Sequence, residues 1–565
     1  MDDVWQAPGP GSWMRDDVHF TGAMSGYLAA LFMPAFAEGW RQGFARYGLP
    51  LESLQPAVVG GRMFARVQPV GAPEPKPGKT SSPPPKLVMR VLFAVHPELR
   101  RRRKSAAETL ASKRWRSDRA IWREQDGPAL RARCIELQAV DPDKLDDAAL
   151  RDHLAALERL FHDGNVIHFR QNPASGIPVG DFVVHTTEWA GVEAAEATAA
   201  LQGHSPASAR CLELLDVVAS AVSPVPGLAA SLADQTVSPR SRLAELRESS
   251  PAAAAALDDY RAEYGQRIVT GFDVTDHTLA ELPDVVVNSI LARLCPPATD
   301  PVQAGNAAAD ALRERVPEQH RAAFDELLDE ARAGYALHDE DVGYAFTWPL
   351  GLIRRALLVA GARLADRGAL ELPAHVFDAE PEEVARLLVG EQGAPTVAEL
   401  ARRASDRGRL AALDPPDHLG PVGALPDASL FPAPVARVTR ALMAWIADAN
   451  LARSAAGNGR GIVGVAASPG VYEGRACVLS GPGEFSRLEL GDVLVAPVTS
   501  PAYNTVLPLL GAVVTDRGGA LCHAAIVARE FAIPAVVGTI SATRDIPDGA
   551  KVRVDGTTGT VTILG

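Results

Sequence analysis

The chain has 565 residues, of which 47% are hydrophobic and 22% charged, the balance of a folded globular protein and not of a disordered one. This length allows about three or four ordinary domains. The formal net charge of −13 argues against a protein built mainly to bind nucleic acid or an anionic membrane, and it indicates no particular substrate.

Cysteine usage and the N-terminus indicate the compartment. The five cysteines are dispersed, with no CxxC pair and no metal-ligand spacing, so we expect reduced thiols and no metal site. Residues 1–17 carry acids and prolines where a signal peptide has a basic and then an apolar stretch. The longest apolar run, around 27–37, is too short to span a bilayer and contains Pro34. These features predict a soluble, cytoplasmic protein with no membrane partner.

The N-terminal part of the chain is predicted to be one large, mainly helical domain, residues 1–453. Residues 71–86 form a proline-rich loop, and 87–95 follow as a predicted strand. From residue 97 onward, apolar residues recur at spacings of three and four, which is typical of amphipathic helices. The helical pattern covers 97–169, 186–222, 249–266, 302–336 and 347–366. Strands are expected only near the start of this domain.

The pattern changes near residue 454. Three glycines among residues 457–461 favour a flexible linker, and we predict a hinge at 454–462. Beyond it, short β-rich runs alternate with turns, and one helix is predicted at about 523–531. The fold class is therefore multidomain: a large, mostly α N-terminal region with a small β portion, followed by a compact α/β domain at 463–565.

His523 is predicted to lie in the first turn of that C-terminal helix. Gly518 and Gly519 permit a tight turn before it, and the free backbone N–H groups of the helix start favour an anion. A neutral imidazole is a competent nucleophile near pH 7, and Thr515 and Arg517 are candidates to bind a phosphoryl group or to orient the ring. By itself, a histidine at this place is more commonly a surface or capping residue.

The sequence around His523 resembles a known family along nearly the whole of 463–565. The matching residues are 464–470, 474, 476, 492–496, 499, 501, 518–519, 523–526, 528–530, 533–536, 538 and 554–556. They are similar to the phosphohistidine domain of the phosphoenolpyruvate-utilising enzymes. The resemblance implies that His523 is transiently phosphorylated and that the domain swivels between two active sites. Cys522 departs from the pattern, since the family usually has Ser or Thr before the histidine.

The region before residue 450 resembles, more weakly, the acceptor-binding domain of rifampin phosphotransferases. The similar residues are 13, 16–17, 19–20, 263–267, 281–283, 355–356, 367–368, 373 and 376–377. No nucleotide-binding loop and no strand-rich ATP-grasp pattern is recognisable, and no barrel for phosphoenolpyruvate follows the histidine domain. We therefore expect no use of phosphoenolpyruvate.

An acceptor domain joined to a histidine domain resembles the split aryl-phosphate synthases. The resemblance implies a separate ATP-grasp subunit that binds ATP and Mg²⁺. It also implies a phenol or cresol acceptor that is converted to an aryl phosphate, with AMP and phosphate released. Two alternatives stay open: the same chemistry on a hydroxyl of an antibiotic or another natural product, and a phosphocarrier or regulatory protein without small-molecule turnover.

Transfer to a hydroxyl requires a base and a charge that stabilises the transferring group. His168 and His185 are the preferred bases because both stand in apolar surroundings. Arg267 is a candidate to stabilise the phosphoryl group, although Gln266 stands where relatives often have His. The other candidates are His162, Asp163, Arg170, Asp181, Asp276 and His277, together with a predicted pocket loop at 175–180.

Residues 100–123 are strongly basic and contain Trp115 and Trp122. Such a segment is interpreted in three ways: a nucleic-acid surface, a solvated helix face, or a docking site for an acidic partner. The solvated face is the most common of these, and we expect no nucleic-acid partner.

Overall fold

The computed structural model describes residues 4–16, 20, 22–76, 84–204, 206–294, 300–422, 427–450, 462–499, 503 and 506–564. Its helices are α1 (Gly26–Tyr47), α2 (Lys86–Val95), α3 (Pro97–Ser112), α4 (Arg114–Ile121), α5 (Gly127–Gln138), α6 (Asp147–Ala190), α7 (Ala194–Ala199), α8 (Pro206–Val222), α9 (Leu228–Ala233), α10 (Pro239–Ser249), α11 (Pro251–Tyr264), α12 (Pro283–Leu294), α13 (Pro301–Arg315), α14 (Arg321–Val342), α15 (Trp348–Asp366), α16 (Pro381–Val389), α17 (Val397–Ala411), α18 (Ala433–Asn450), α19 (His523–Glu530) and α20 (Ala542–Asp545).

The strands are β1 (Trp13–Arg15), β2 (Leu51–Val59), β3 (Arg62–Pro69), β4 (His418–Leu419), β5 (Ile462–Val463), β6 (Val465–Ser468), β7 (Val471–Val478), β8 (Asp492–Ala496), β9 (Leu510–Thr515), β10 (Ala535–Val537), β11 (Lys551–Asp555) and β12 (Thr560–Ile563). Two π-helical turns, Trp122–Asp126 and Gly343–Thr347, directly precede α5 and α15. None of the described helices is both long and apolar enough to cross a membrane.

The chain divides into two units. The first comprises Met1–Ala174, Phe272–Thr275 and Asp341–Arg440, and the second comprises Ser175–Gly271, Asp276–Glu340 and Ala441–Gly565. The first unit holds a small antiparallel sheet in the order β2-β3-β1-β4. Helix α1 packs on β2 of this sheet. The rest of the first unit is helical.

The second unit combines helices with an eight-stranded sheet in the order β5-β12-β11-β7-β8-β9-β10-β6. Strands β7, β8, β9 and β10 run parallel at its centre. Strands β8 and β9 are buried almost throughout, as parallel strands covered on both faces require. The carboxyl ends of these strands lead into the loops before and around α19, where an open α/β sheet presents its functional residues.

The fold class is confirmed: a large helical N-terminal region and a C-terminal α/β domain with one main helix, α19. Of the linker predicted at 454–462, residues 454–461 lie outside the described residues. The division of the chain at that linker therefore stays a prediction.

Two local predictions were wrong. Residues 87–95 form helix α2 and not a strand, because the buried Met89 and Phe93 are four residues apart, on one face of a helix. Residues 175–180 lie within the 44-residue helix α6 and not in a loop. The glycines there serve packing: a Cβ on Gly176 would lie 2.6 Å from the ring of Trp445, and one on Gly180 would lie 1.9 Å from the carbonyl oxygen of Ala441.

Candidate active site

The loop between β9 and α19 brings His523 to the start of the helix. Gly518 has φ +116°, and a Cβ there would lie 2.6 Å from the sulfur of Cys522, so this position requires glycine. The amide of Cys522 donates to the carbonyl of Gly519 at 3.1 Å and closes the turn. His523 is consequently the first residue of α19.

The N-terminus of α19 is suited to hold an anion. The first intrahelical hydrogen bond runs from the amide of Ile526 to the carbonyl of Cys522 at 3.0 Å. The amides of Ala524 and Ala525 precede it and have no acceptor within the helix. Cys522 occupies the N-cap position, and its thiol makes no capping hydrogen bond. The polar end of the helix therefore stays available to a ligand beside His523.

One hydroxyl orients the His523 ring. Thr499 Oγ1, in the loop after β8, lies 3.1 Å from His523 Nδ1. The ring is half-buried, and Nε2 is shielded from solvent in the position described. Nδ1 is therefore the ring nitrogen that Thr499 positions. Thr499 is among the residues that resemble the phosphohistidine family, but the sequence alone did not indicate its role.

The residues predicted to support His523 have different functions in the loop. The buried hydroxyl of Thr515 donates to the carbonyl of Arg517 at 2.7 Å, and the Thr515 carbonyl accepts from the Thr539 hydroxyl at 2.9 Å. Thr515 thus shapes the loop, and ring orientation falls to Thr499. Arg517 is exposed. Contacts of these two residues with a phosphoryl group stay predictions.

The far end of α19 is bound to the helical part of the same unit. Arg529 is fully buried and donates to three carbonyls: Ala467 (2.9 Å), Thr198 (3.1 Å) and Ala520. The side-chain amide of Gln202 donates to the Arg529 carbonyl at 2.7 Å, and the Gly203 amide donates to Glu530 Oε1 at 3.0 Å. We call Thr198–Gly203 the docking turn, because it holds the end of the helix that begins with His523.

His168 forms a buried pair with an aspartate in the first unit. Its Nδ1 lies 3.0 Å from Asp341 Oδ1, and both side chains are buried. The carboxylate accepts the proton of Nδ1, which leaves Nε2 with its lone pair. Nε2 makes no hydrogen bond to any described residue. This is the geometry of a general base held in one tautomer by a carboxylate.

A close helix contact brings this pair together. Gly164 lies on α6 one turn before His168, and a Cβ there would be 2.8 Å from the carbonyl oxygen of Ala345 in the second π-helical turn. The Asn165 side chain donates to that same carbonyl at 3.1 Å. Asp341 lies just before the π-helical turn, and such turns occur frequently at functional sites.

The His168 ring packs against Phe169, which belongs to a cluster of aromatic rings. The Phe169 ring centroid lies 4.7 Å from that of His168 and 4.8 Å from that of Phe36. Trp40 and Phe32 contact Phe169 at 6.1 and 5.6 Å. The Phe169 ring therefore gives the His168 imidazole an aromatic, apolar neighbour.

His185 is a weaker candidate for the base. Its Nδ1 lies 2.8 Å from the Asp181 carbonyl one turn earlier, and the Asp181 carboxylate is 3.4 Å away. The ring packs on Trp189, which in turn stacks on His320 at 4.7 Å. This arrangement is a partly exposed aromatic array at the end of α6.

The remaining candidates are engaged locally. Arg170 pairs with Asp126 at 2.8 Å, and Asp163 pairs with Arg133 at 3.0 Å.

Arg267 lies over the ring of Tyr264 at 4.1 Å, and its Nε donates to the Glu263 carbonyl at 2.9 Å. Asp276 Oδ1 accepts from the Thr270 hydroxyl at 3.3 Å, so that this carboxylate stabilises a turn. His277 is exposed. A role of Arg267 or Asp276 in acceptor binding stays a prediction.

The basic segment does not offer stacking rings. Trp115 and Trp122 are buried, as are Arg102 and Arg119. The exposed basic residues of the segment include Arg100, Arg101, Arg103 and Lys104 of α3. Helix α2, which packs on α3, exposes four aliphatic side chains: Leu87, Val88, Val91 and Val95. We call these exposed faces of α2 and α3 the α2–α3 surface. It is an apolar and basic protein surface and not an aromatic platform for bases.

Two family models match the chain. The mobile domain of PEP-utilising enzymes matches residues 488–559, which contain Thr499 and His523. The fourth domain of rifampicin phosphotransferase matches residues 168–357, which contain His168, Asp341 and the docking turn. Both resemblances inferred from the residues are confirmed.

Curated relatives match parts of the chain. A phosphoenolpyruvate synthase of Aeropyrum pernix is 50% identical over 99 residues, 17% of this chain and 12% of the relative. A rifampicin phosphotransferase of Streptomyces sviceus is 43% identical over 103 residues, 18% of this chain and 12% of the relative. A chondramide synthase of Chondromyces crocatus is 33% identical over 333 residues, 55% of this chain and 8% of the relative. The last match is about three times as long as the histidine domain, so it includes much of the helical region. The chain spans about a tenth of the length of these relatives.

Proposed function

We propose that the protein is a phosphotransferase that works through His523. The premise is that residues 488–559 match the mobile domain of the PEP-utilising enzymes and residues 168–357 match the fourth domain of rifampicin phosphotransferase. His523 accepts a phosphoryl group that originates from ATP on a partner chain and transfers it to a hydroxyl of a small organic acceptor. The observation that carries the proposal is the position of His523 at the start of α19, with Nδ1 held by Thr499.

The first step is nucleophilic attack by Nε2. The Nδ1 proton of the neutral ring is directed at Thr499 Oγ1, so the lone pair of Nε2 faces the incoming phosphorus. A nitrogen–phosphorus bond forms while the phosphorus–oxygen bond to the leaving group breaks, and the ring keeps its Nδ1 proton. The free amides of Ala524 and Ala525 and the positive end of the helix dipole stabilise the charge of the phosphoryl group. Overall, ATP, the acceptor and one water molecule give the phosphorylated acceptor, AMP and phosphate, because the terminal phosphate is released by hydrolysis.

The second step delivers the phosphoryl group to the acceptor. Nε2 of His168 takes the proton of the acceptor hydroxyl as the oxygen attacks phosphorus and the nitrogen–phosphorus bond breaks. Asp341 stabilises the imidazolium that forms. The rings of Phe169, Phe36 and Trp40 support an aromatic acceptor, so we propose a phenol or a cresol and an aryl phosphate product.

The ATP-binding chain is part of this proposal. It would belong to the ATP-grasp class and would bind ATP together with Mg²⁺. Residues 86–104 carry seven lysines and arginines and one glutamate, a net charge of +6 in a chain whose total is −13. Together with the exposed aliphatic residues of α2, this charge supports the α2–α3 surface as the place where an acidic partner docks.

A labelling experiment tests the function. The chain is incubated with its ATP-binding partner, Mg²⁺ and ATP labelled at the β-phosphate, and acid-labile label is expected on wild type and on Cys522→Ser. His523→Ala should take up no label and form no product. Full acceptor phosphorylation by His523→Ala would refute the mechanism.

A panel of acceptors separates the alternatives, with AMP formation as the readout. Turnover of phenol and 4-cresol supports the aryl-phosphate proposal. Turnover of rifampicin or other polyhydroxylated antibiotics alone would favour the natural-product alternative. Label on His523 without turnover of any small molecule would favour a phosphocarrier.

A further inference from the structure

Helix α6 carries a run of buried polar side chains around His168. Asn165, His168, Gln171 and Asn172 are all buried, and they lie on the part of α6 that belongs to the first unit. At 100° per residue, Asn165, His168 and Gln171 fall within a stripe about 120° wide, with His168 in the middle. Buried amides on one stripe of a helix require hydrogen-bond partners.

Gln171 lacks such partners. Its side chain is only 4% exposed, yet neither the amide nitrogen nor the amide oxygen bonds to any described residue. Leaving both ends of a buried amide unsatisfied costs more than burying an apolar side chain of the same volume. An unsatisfied group of this kind in a folded protein needs an explanation, and a bound ligand is one.

Asn165 also has one buried side-chain atom that lacks a hydrogen-bond partner among the described residues. Its amide nitrogen donates to the carbonyls of Phe161 (2.8 Å) and Ala345 (3.1 Å), which fixes the orientation of the group. The opposite atom, Oδ1, is buried and accepts no hydrogen bond from a described residue. Asn165 therefore presents a fixed acceptor one turn from His168.

From these features we infer that Asn165, His168 and Gln171 line the acceptor-binding site. The site takes a small aromatic alcohol: Phe169, which contacts the His168 ring, provides the apolar wall, and the amides hydrogen-bond the hydroxyl or a second polar substituent. The identity of the ligand as a hydroxylated acceptor rests on the proposed function. The binding role of Asn165 and Gln171 rests on their unsatisfied atoms alone.

Ligand binding and folding make opposite demands on Gln171. Replacing an unsatisfied buried amide by an apolar side chain of similar volume is expected to leave folding unchanged or to stabilise it. The same change removes hydrogen bonds to the ligand. Gln171→Leu should therefore keep or raise the melting temperature and still bind the acceptor at least ten-fold more weakly. A merely structural amide would give the reverse result.

The test uses the chain alone, without ATP or a partner. Phenol and 4-cresol are titrated by calorimetry against wild type, Gln171→Leu and Asn165→Leu, with toluene as the probe that lacks the hydroxyl. Gln42→Leu is the matched control, because the Gln42 amide has a hydrogen-bond partner: it donates to Glu38 at 2.7 Å. Wild type and the control should bind both phenols, and toluene should bind at least ten-fold more weakly.

Two results would overturn the inference. One is phenol affinity that Gln171→Leu and Asn165→Leu both leave unchanged. The other is a Gln171→Leu protein that melts at a markedly lower temperature than wild type. Failure of His523 to become labelled would count against the proposed function, and it would not alter the binding measurements.

Discussion

Thr499 Oγ1 lies 3.1 Å from Nδ1 of His523. Thr499 follows strand β8, and His523 begins the helix that follows the neighbouring parallel strand β9. Under the proposed function, this contact leaves Nε2 as the ring nitrogen that carries the phosphoryl group. It also makes the hydroxyl of Thr499 a positioning group whose loss can be measured apart from the loss of the nucleophile.

Thr499→Val should slow phosphorylation of His523 by about 5- to 30-fold, the equivalent of one hydrogen bond of about 1–2 kcal/mol. The ring stays in place but loses its preferred tautomer and orientation. Rapid-quench measurement of acid-labile label gives the rate. Thr499→Ser should restore most of it, and a Thr499→Val protein that is labelled at the wild-type rate would exclude the orienting role.

Changes in the docking turn should separate the two half-reactions. Gln202→Ala removes the hydrogen bond to the Arg529 carbonyl, and Glu530→Ala removes the acceptor of the Gly203 amide. Transfer to the acceptor should fall by about ten-fold, the equivalent of one hydrogen bond of about 1–1.5 kcal/mol, because the histidine domain docks less firmly on the helical part of its unit. Phosphorylation of His523 should not fall.

Glu473→Ala serves as the control for these variants, since Glu473 forms only exposed ion pairs with Lys551 and Arg553 on the same domain. Hydrogen exchange in residues 198–203 should accelerate in Gln202→Ala and not in the control. Equal exchange in both proteins would contradict the docking role.

Helix α6 should not tolerate a methyl group at Gly180. A Cβ there would lie 1.9 Å from the Ala441 carbonyl oxygen, so Gly180→Ala forces α6 and α18 apart and should cost about 1–3 kcal/mol. Gly408→Ala is the control, because no atom lies within 4 Å of its Cβ position on α17. That change should stabilise the helix by up to about 1 kcal/mol. The apparent melting temperature should fall in Gly180→Ala and rise in Gly408→Ala.

Stability should fall in mild acid through His204, which adjoins the docking turn. Burial lowers the pKa of His204 below its ordinary value of 6.5, and Nδ1 donates to the Gln202 carbonyl at 2.9 Å. The unfolded chain therefore binds a proton at higher pH than the folded chain does. The contribution of His204 to the free energy of unfolding is complete above pH 6.5, and it is lost as the pH falls below that value. Urea unfolding of His204→Gln should depend less on pH over this range than that of wild type.

Partner binding should depend on the α2–α3 surface. Val91→Ser should weaken the complex with the ATP-binding chain, while Val217→Ser should not, although the two valines are 55% and 56% exposed. Arg100→Ser should weaken the complex mainly at low salt, because salt screens exposed charges. Sedimentation velocity of the two-chain mixture measures the effect. An anionic vesicle that binds the chain with the same dependence on Val91 would indicate a membrane surface instead.

The sequence alone determined the α/β architecture of the C-terminal domain and the position of its candidate nucleophile, His523, at the start of a helix. Apolar residues recur with a period of two in strands and of 3.6 in helices. These periods, the glycines at turns and the residues around His523 are local features, which can be recognised from the sequence without knowledge of the fold. The same reasoning was wrong for α2, where a short apolar run suits strand and helix alike. It was also wrong at 175–180, where glycine and proline indicated a loop.

Only the tertiary structure decided which distant residues meet. Asp341 reaches His168 across 173 positions, and Arg529 reaches Thr198 across 331, and no local pattern encodes such pairs. Gly176 and Gly180 show the reason. Each allows a residue of another helix to pack closely against it, and that residue is known only from the tertiary structure. For the same reason, the unsatisfied amide of Gln171 became visible only when its surroundings were complete.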